Sequence, residues 1–511
     1  MNEMPLPGNN ACEQILGWQI GAGLGDQPAI LAGTRTLTYA QLCGLVNRIG
    51  NALRGAGVGR SDRVTLLTKD SPEMVATYLA VLKIGAVAVA VNTRASGEDL
   101  AHFLTDTACK AFVFDPEFSP IYSAAAGLTT HRPALLIDDV AGFAAGHDDS
   151  LETAPVLATD QAFWIYTSGT TGKSKAAIHC HRMVSIAHLH LRENLGVKPG
   201  DKLFSSSKLF FAFALGHCLI GGLKCGATII LHDEWPDGPS IAAVVERHRP
   251  DLMFCVPTLY RNLLRDGYAA TPPFTAIRRY VSAGEKLPEG LSRQWEAASG
   301  SPILEGIGTS ETVFLMLVNT PTAHRAGSAG RPVPWAEVQL RDQDGGVVTT
   351  PDEPGVLWVR AASVAAGYWN QPEKTAAAFV DGWYCTGDLF SFDAEGWWYH
   401  QGRADDMLKI SGQWVNPTEI EERAIEVPGV AEAAVVGVAN EDGLVRLGLV
   451  LVAQGGANEK LLAPAVQEHL TKHLSIYKCP RRIAFVDEMP RTATGKLQRF
   501  RLRQLLMEEQ A

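Results

Sequence analysis

Short apolar runs rich in β-branched residues alternate with helix-patterned segments early in the chain, and this rhythm dictates a parallel sheet. Arg63 to Leu67 (RVTLL) reads as a buried strand. Ser71 to Lys83 reads as a helix, with Ser71 as cap and Pro72 at the first position, where a missing N–H costs nothing. Ala86 to Val91 (AVAVAV) is the next strand, a helix follows near Gly97 to Thr105, and Lys110 to Phe114 closes the run. Strand, helix, strand at this spacing requires a crossover and hence parallel neighbours. The rhythm returns at Ala227 to Leu231, Leu252 to Cys255 and Arg279 to Ser282.

After Gly327 short strands with Gly/Pro turns take over as far as Tyr399, which predicts a small β-subdomain. From Asp405 onward the pattern is α+β and of small-domain size. A chain of 511 residues is too long for one ordinary core. The expected fold is α/β: a large N-terminal domain (residues 1–404) of parallel-type sheets plus the β-subdomain, followed by a small α+β C-terminal domain (residues 405–511).

A net charge of -10 argues against a general nucleic-acid binder. The nine cysteines form no CxxC pair, which suits reduced thiols in a cytoplasm. Residues Met1 to Gln14 lack a basic stretch followed by an apolar run, and the longest apolar stretch, Met74 to Val91, contains Lys83, so neither a signal peptide nor a membrane span is expected. A monomer or homodimer is expected. His179, His181, His188 and His190 invite a metal reading, but positions i and i+2 face different sides of a helix, so His188 and His190 do not converge and a surface or core role is expected.

The strongest local signal is Tyr166-Thr167-Ser168-Gly169-Thr170-Thr171-Gly172-Lys173-Ser174-Lys175, directly after the apolar strand Ala162 to Tyr166. Glycines and small hydroxyl residues let backbone N–H groups converge on phosphate oxygens, and the lysines supply countercharge. Gly172-Lys173-Ser174 imitates the end of a Walker A loop, but that motif needs glycine where Thr167 stands. The loop instead resembles the signature of the adenylate-forming superfamily, which includes acyl-CoA synthetases, peptide-synthetase adenylation domains and firefly luciferase. Ser174 and Ala176 stand where that family usually has Pro and Gly.

The resemblance covers nearly the whole chain in order, and it implies roles. Ser282-Ala283-Gly284-Glu285-Lys286 is similar to the segment lining adenine. Glu305-Gly306-Ile307-Gly308-Thr309-Ser310-Glu311 is similar to the next motif; Ser310 would meet the α-phosphate and Glu311 would bind Mg²⁺, a hard cation suited to carboxylate. Asp388, in Trp383-Tyr384-Cys385-Thr386-Gly387-Asp388, would bind the ribose hydroxyls, and Arg403 would make a second nucleotide contact. Asp405 matches the hinge, Lys409, Ser411 and Gly412 the loop presented to coenzyme A, and Lys496 the mobile adenylation lysine. The implied cofactors are ATP, Mg²⁺ and coenzyme A.

Ser207 to His217 (SKLFFAFALGH) resembles the benzoate-type aryl-CoA ligases. That branch implies an acyl pocket of Phe213, Ala214, His217, Gly308 and Phe314 and a planar aromatic or heteroaromatic acid. The branch usually carries Tyr, Gly and Asn in place of Phe213, Ala214 and His217, and His in place of Phe314, which counts against unsubstituted benzoate and leaves hydroxy-, amino- and heteroaryl acids such as furoate open. His217 reads two ways, as a partner for a ring substituent or as a satisfied core histidine. Transfer to a carrier protein, or a non-catalytic nucleotide-binding homologue, are the alternative functions.

Overall fold

The computed structural model describes residues 7–167, 174–410, 413–439, 445–455, 457–491 and 497–508. The first sheet has six strands in the spatial order Leu135–Ile137, Ala111–Phe114, Arg63–Leu67, Val87–Ala90, Gln161–Thr167 and Lys175–Cys180. All neighbours are parallel except the last pair, which is antiparallel. Both faces of its central strands are buried, which is why they read as unbroken apolar runs. The helix Pro72–Lys83 begins as expected, with the Ser71 hydroxyl accepting the Met74 N–H at 3.0 Å.

The second sheet has nine strands. Ile303–Ile307, Arg279–Ser282, Leu252–Cys255, Lys202–Ser205, Thr228–Leu231 and Pro28–Ala32 run parallel in that order, with antiparallel strands at both ends. The β-subdomain is an antiparallel sheet built on Glu337–Arg341, Gly355–Arg360, Trp383–Phe392 and Trp398–Arg403. Beyond it lie a hairpin, Leu408–Ile410 with Gln413–Val415, and a three-stranded sheet of Val430–Ala439, Val445–Ala453 and Arg482–Phe485 that carries the helices Pro417–Ile425, Glu459–His473 and Arg499–Glu508. This C-terminal part packs its own apolar core around Val415, Ile420, Leu449, Leu451 and Val466. Among the described residues no helix is long and apolar enough to cross a membrane.

The first sheet and the β-subdomain are stitched together. Ile178 and Ala176 of strand Lys175–Cys180 exchange backbone hydrogen bonds with Ala366, Gly367 and Trp369, so the strand leaving the predicted phosphate loop lies against the turn that holds Tyr368.

Candidate active site

Parallel sheets place loops, and therefore ligands, at the C-terminal ends of their strands. Ser282 pairs in register with both Cys255 and Glu305, so Ser282–Lys286 and the segment after Ile303–Ile307 leave the second sheet side by side. Glu305 is buried and accepts the Leu287 N–H at 2.9 Å. Burial pushes its carboxyl up to about 7, against the lowering effects of that N–H and of Lys286. Glu285 accepts from the Thr258 hydroxyl at 2.9 Å, and Lys286 forms an ion pair with Glu422 of the helix Pro417–Ile425.

Glu311 is 5% exposed and sits where the two halves of the N-terminal part meet. The Tyr368 phenol donates to its Oε1 at 2.7 Å, and its carbonyl accepts the Ala365 N–H at 2.8 Å. His179 Nε2 donates to the Ser310 carbonyl at 2.9 Å. Lys175 places its ammonium 3.6 Å from the centroid of the Tyr368 ring, a cation–π contact that aims a positive charge at the Glu311 neighbourhood. A buried carboxylate with one oxygen fixed by a phenol fits Mg²⁺, which takes one or two protein carboxylates and fills its shell with phosphate oxygens and water. Among the described residues no group of three or more His, Cys, Asp or Glu could hold a metal ion unaided.

Asp388 and Arg403 are cross-strand partners in the β-subdomain. Arg403 Nη1 donates to Asp388 Oδ1 at 3.0 Å and to the Thr386 carbonyl at 2.9 Å. Burial alone would raise the Asp388 carboxyl, but His400, 3.6 Å away, and Arg403 outweigh it and hold it below the usual carboxylate range. Gly387 makes the pairing fit: its φ is +73°, and a Cβ there would lie 2.8 Å from Arg403 Nη2. Tyr384, Thr386 and Asp388 share one buried face of their strand, as a period of two requires.

Between Glu311 and Phe314 the backbone makes a tight reversal. Val313 has φ +62°, and the Phe314 N–H reaches the Thr312 carbonyl at 2.7 Å. A β-branched residue there is strained, the kind of conformation that collects at functional sites. A Cβ on Gly308 would meet the Phe314 carbonyl at 2.9 Å, so this position must be glycine for the reversal to close. The turn sends Glu311 towards Tyr368 and Phe314 into an aromatic cluster. Phe314 lies 6.0 Å from His217 and 5.6 Å from His190, and His217 lies 4.9 Å from Phe213 and 5.1 Å from Phe254 (ring centroids). Ala214 ends the short helix Ala212–Ala214, directly before the helical segment Leu215–Gly222 that carries His217, and is fully buried.

The structure therefore gathers Phe213, Ala214, His217, Gly308 and Phe314 around one segment, and sets Glu311, Ser310 and Lys175 at its other end. Gly284, Gly306 and Ile307 line the adjoining strand ends, and Thr167 ends the strand before the phosphate loop. Ser168, Gly169, Thr170, Thr171, Gly172, Ser411, Gly412 and Lys496 lie outside the described residues. Asp405 falls in the turn Ala404–Asp406 and Lys409 in the strand Leu408–Ile410, their side chains likewise outside the description.

Sequence reasoning gave no role to Tyr368, Tyr384 or His400, and gave His190 only a surface or core one. Tyr384 could have been found from its alternation with Thr386 and Asp388. Three of the four histidines of the 179–190 cluster go to separate destinations: His179 to Ser310, His181 to the Ala11 N–H at 3.0 Å, and His190 to His217.

This fold, with a carboxylate and a cation at the strand ends and an Asp–Arg pair facing them from a β-subdomain, is that of the adenylate-forming enzymes. The chain belongs to the AMP-binding enzyme family: that family's profile matches residues 18–369, and the profile of the AMP-binding enzyme C-terminal domain matches residues 419–496. It is 52% identical to a 3-hydroxybenzoate–CoA ligase of Aromatoleum sp. (strain CIB), covering 97% of each chain, and 50% identical to a 3-hydroxybenzoate–CoA/4-hydroxybenzoate–CoA ligase of Thauera aromatica, covering 98% of each. Among solved structures it is similar to an anthranilate CoA ligase in complex with anthranoyl-AMP, with TM-score 0.89, 32% identity and 97% of each chain covered. It is also similar to a benzoate CoA ligase from Burkholderia xenovorans LB400, with TM-score 0.87, 33% identity and 97% and 99% covered.

Proposed function

We propose that this chain activates a hydroxybenzoate, 3-hydroxybenzoate foremost, and transfers the acyl group to coenzyme A. It is an AMP-forming aryl-CoA ligase that uses ATP, Mg²⁺ and coenzyme A. The observation that carries the assignment of sites is the single turn from Gly308 to Phe314, which joins a charged surface at Glu311 to an aromatic one at Phe314. An aryl carboxylate needs both, with its ring among Phe213, His217 and Phe314 and its carboxylate facing the nucleotide.

In the first half-reaction a carboxylate oxygen attacks the α-phosphorus of ATP and the bond to pyrophosphate breaks. Two anions meet, so preorganised cations and N–H donors are required. Lys175 and the loop from Thr167 to Gly172 hold the leaving pyrophosphate, and Ser310 meets the α-phosphate. Glu311 would hold Mg²⁺, which when bound would neutralise phosphate charge. Asp388 takes the ribose hydroxyls with Arg403 beside it, and Gly284 to Lys286 with Glu305 to Ile307 border the adenine. Lys496 bridges carboxylate and phosphate. In the second half-reaction the coenzyme A sulfur attacks the acyl carbon and AMP leaves; the C-terminal domain (residues 405–511) turns about Asp405, withdrawing Lys496 and bringing Lys409, Ser411 and Gly412 to the pantetheine arm.

The test is product analysis. Purified enzyme with 3-hydroxybenzoate, ATP and Mg²⁺ should release pyrophosphate, and added coenzyme A should yield AMP and the CoA thioester in equal amounts. Pyrophosphate release without thioester, at any coenzyme A concentration, would contradict the acceptor.

A further inference from the structure

His190 and His217 form a buried pair whose proton positions follow from their neighbours. His217 Nδ1 lies 2.8 Å from the Phe213 carbonyl, which can only accept, so Nδ1 carries the proton. Burial drives the His217 imidazole down to about 4, so it is neutral at working pH and its Nε2 is a lone pair. His190 Nε2 lies 3.0 Å from that lone pair and must donate to it. Burial and the adjacent His217 also keep His190 neutral. Its remaining nitrogen, Nδ1, is therefore a bare acceptor, fully buried and, among the described residues, without a hydrogen-bond partner.

A second such atom lies alongside. Trp335 packs edge-on against His190, with ring centroids 5.8 Å apart and planes at 83°. Its indole Nε1–H is also buried without a partner among the described residues. Buried polar groups are rarely left unpaired, since each orphan forfeits the hydrogen bond it had with water. Two rings in contact, one carrying an orphan acceptor and the other an orphan donor, with Phe314 on His190 as well, are the complement of a group that both donates and accepts.

We infer that His190 and Trp335 form a subsite for the ring hydroxyl of the acid, which donates its proton to His190 Nδ1 and accepts from Trp335 Nε1–H. His217 is the positioning residue: by accepting from His190 Nε2 it fixes the tautomer that leaves Nδ1 free to accept. The inference rests on the hydroxybenzoate reading above and names the residues that deliver it. Hydroxyl suits the subsite better than amino, which donates but accepts poorly, and better than methoxy or fluoro, which cannot donate.

The experiment is the ratio of kcat/KM for 3-hydroxybenzoate to that for benzoate, in the intact enzyme and in His190→Phe and Trp335→Phe. The unaltered enzyme should favour 3-hydroxybenzoate over benzoate, 3-methoxybenzoate and 3-fluorobenzoate by roughly 10- to 100-fold. Each variant should move the ratio towards one, chiefly through KM, and His190→Gln, which keeps an acceptor, should restore part of it. The substitution series on the unaltered enzyme needs no variant to fold: 3-methoxybenzoate performing as well as 3-hydroxybenzoate would overturn the subsite. So would a ratio unchanged in both variants while the unaltered enzyme still prefers 3-hydroxybenzoate. A preference of the unaltered enzyme for benzoate would sink the hydroxybenzoate reading itself, a separate outcome.

Discussion

Tyr368 donates a 2.7 Å hydrogen bond to Oε1 of Glu311. The two residues are 57 positions apart, Glu311 in the turn after strand Ile303–Ile307 and Tyr368 in the segment between Gly355–Arg360 and the helix Pro372–Ala378, so the contact ties the β-subdomain to the end of the parallel sheet where the nucleotide is expected. It holds one carboxylate oxygen in place and leaves the group's negative charge intact. Burial and the Glu311 charge both push the Tyr368 phenol upward, so it remains a donor throughout the working pH range.

Glu311→Gln keeps an acceptor for Tyr368 and removes the charge. Pyrophosphate release should fall about 10²- to 10³-fold, with a weakened Mg²⁺ dependence and a thermal midpoint near that of the unaltered enzyme. Retained activity at unchanged Mg²⁺ concentration would remove Glu311 from the metal's coordination.

Gly387→Ala should loosen the Asp388–Arg403 pair. The added Cβ falls 2.8 Å from Arg403 Nη2, and that guanidinium is pinned by Asp388 and the Thr386 carbonyl. A left-handed alanine costs about 1–2 kcal/mol. The expected outcome is a lower thermal midpoint and a several-fold higher KM for ATP, with KM for the aryl acid little changed. Equal rises in both KM values would point to general distortion instead.

Glu305 gives the stability a pH signature. Its folded-state carboxyl titrates near 7, above the ordinary 4.5, so the folded chain binds the proton more tightly than the unfolded one. The resulting stabilisation is complete below about pH 4.5 and is lost as pH rises towards 7. Glu305→Gln, which can still accept from Leu287, should escape this loss. Its thermal midpoint should gain on that of the unaltered enzyme from pH 5 to 7 and level off above about pH 8. Parallel curves over that range would show Glu305 titrating normally.

Much of the fold was legible because local and global preferences agree. Arg63–Leu67, Leu252–Cys255 and Arg279–Ser282 were bounded to the residue, since buried parallel strands are uninterrupted apolar runs. Ser71 and Pro72 announced their helix by the ordinary rules of capping. What escaped was long-range. Tyr368 has no local mark beyond the Gly before it, and its partner lies 57 positions away in the turn after another strand. His190 was weighed against His188, two residues away, whereas its partner is His217, 27 positions on. Helical spacing bears on the near pair and is silent about the distant one. The adenylation motifs were readable because backbone-lined phosphate loops demand small residues in sequence; the acyl pocket was less so, because pocket walls and core share one apolar alphabet.

Lys496→Ala should separate the half-reactions. This lysine stands in the Gly-flanked segment Thr494-Gly495-Lys496, and the proposed mechanism gives it a part in adenylation alone. Pyrophosphate release should drop about 10²- to 10³-fold, while thioester formation from supplied acyl-adenylate and coenzyme A should proceed close to normal. Equal losses in both steps would contradict a lysine used in only one domain arrangement.

The central claim is that the aromatic end of the Gly308–Phe314 turn selects a compact hydroxylated aryl acid. The most direct measurement is kcat/KM for coenzyme A thioester formation across 3-hydroxybenzoate, 4-hydroxybenzoate, benzoate, 2-aminobenzoate, furoate, acetate and palmitate under one set of conditions. The account predicts 3-hydroxybenzoate first, the other aryl acids behind it, and acetate and palmitate at least about a hundredfold lower, since acetate forfeits about 0.8 kcal/mol for each missing buried methylene-sized group and the aromatic walls stop an extended chain. Acetate or palmitate outperforming every aryl acid would contradict it.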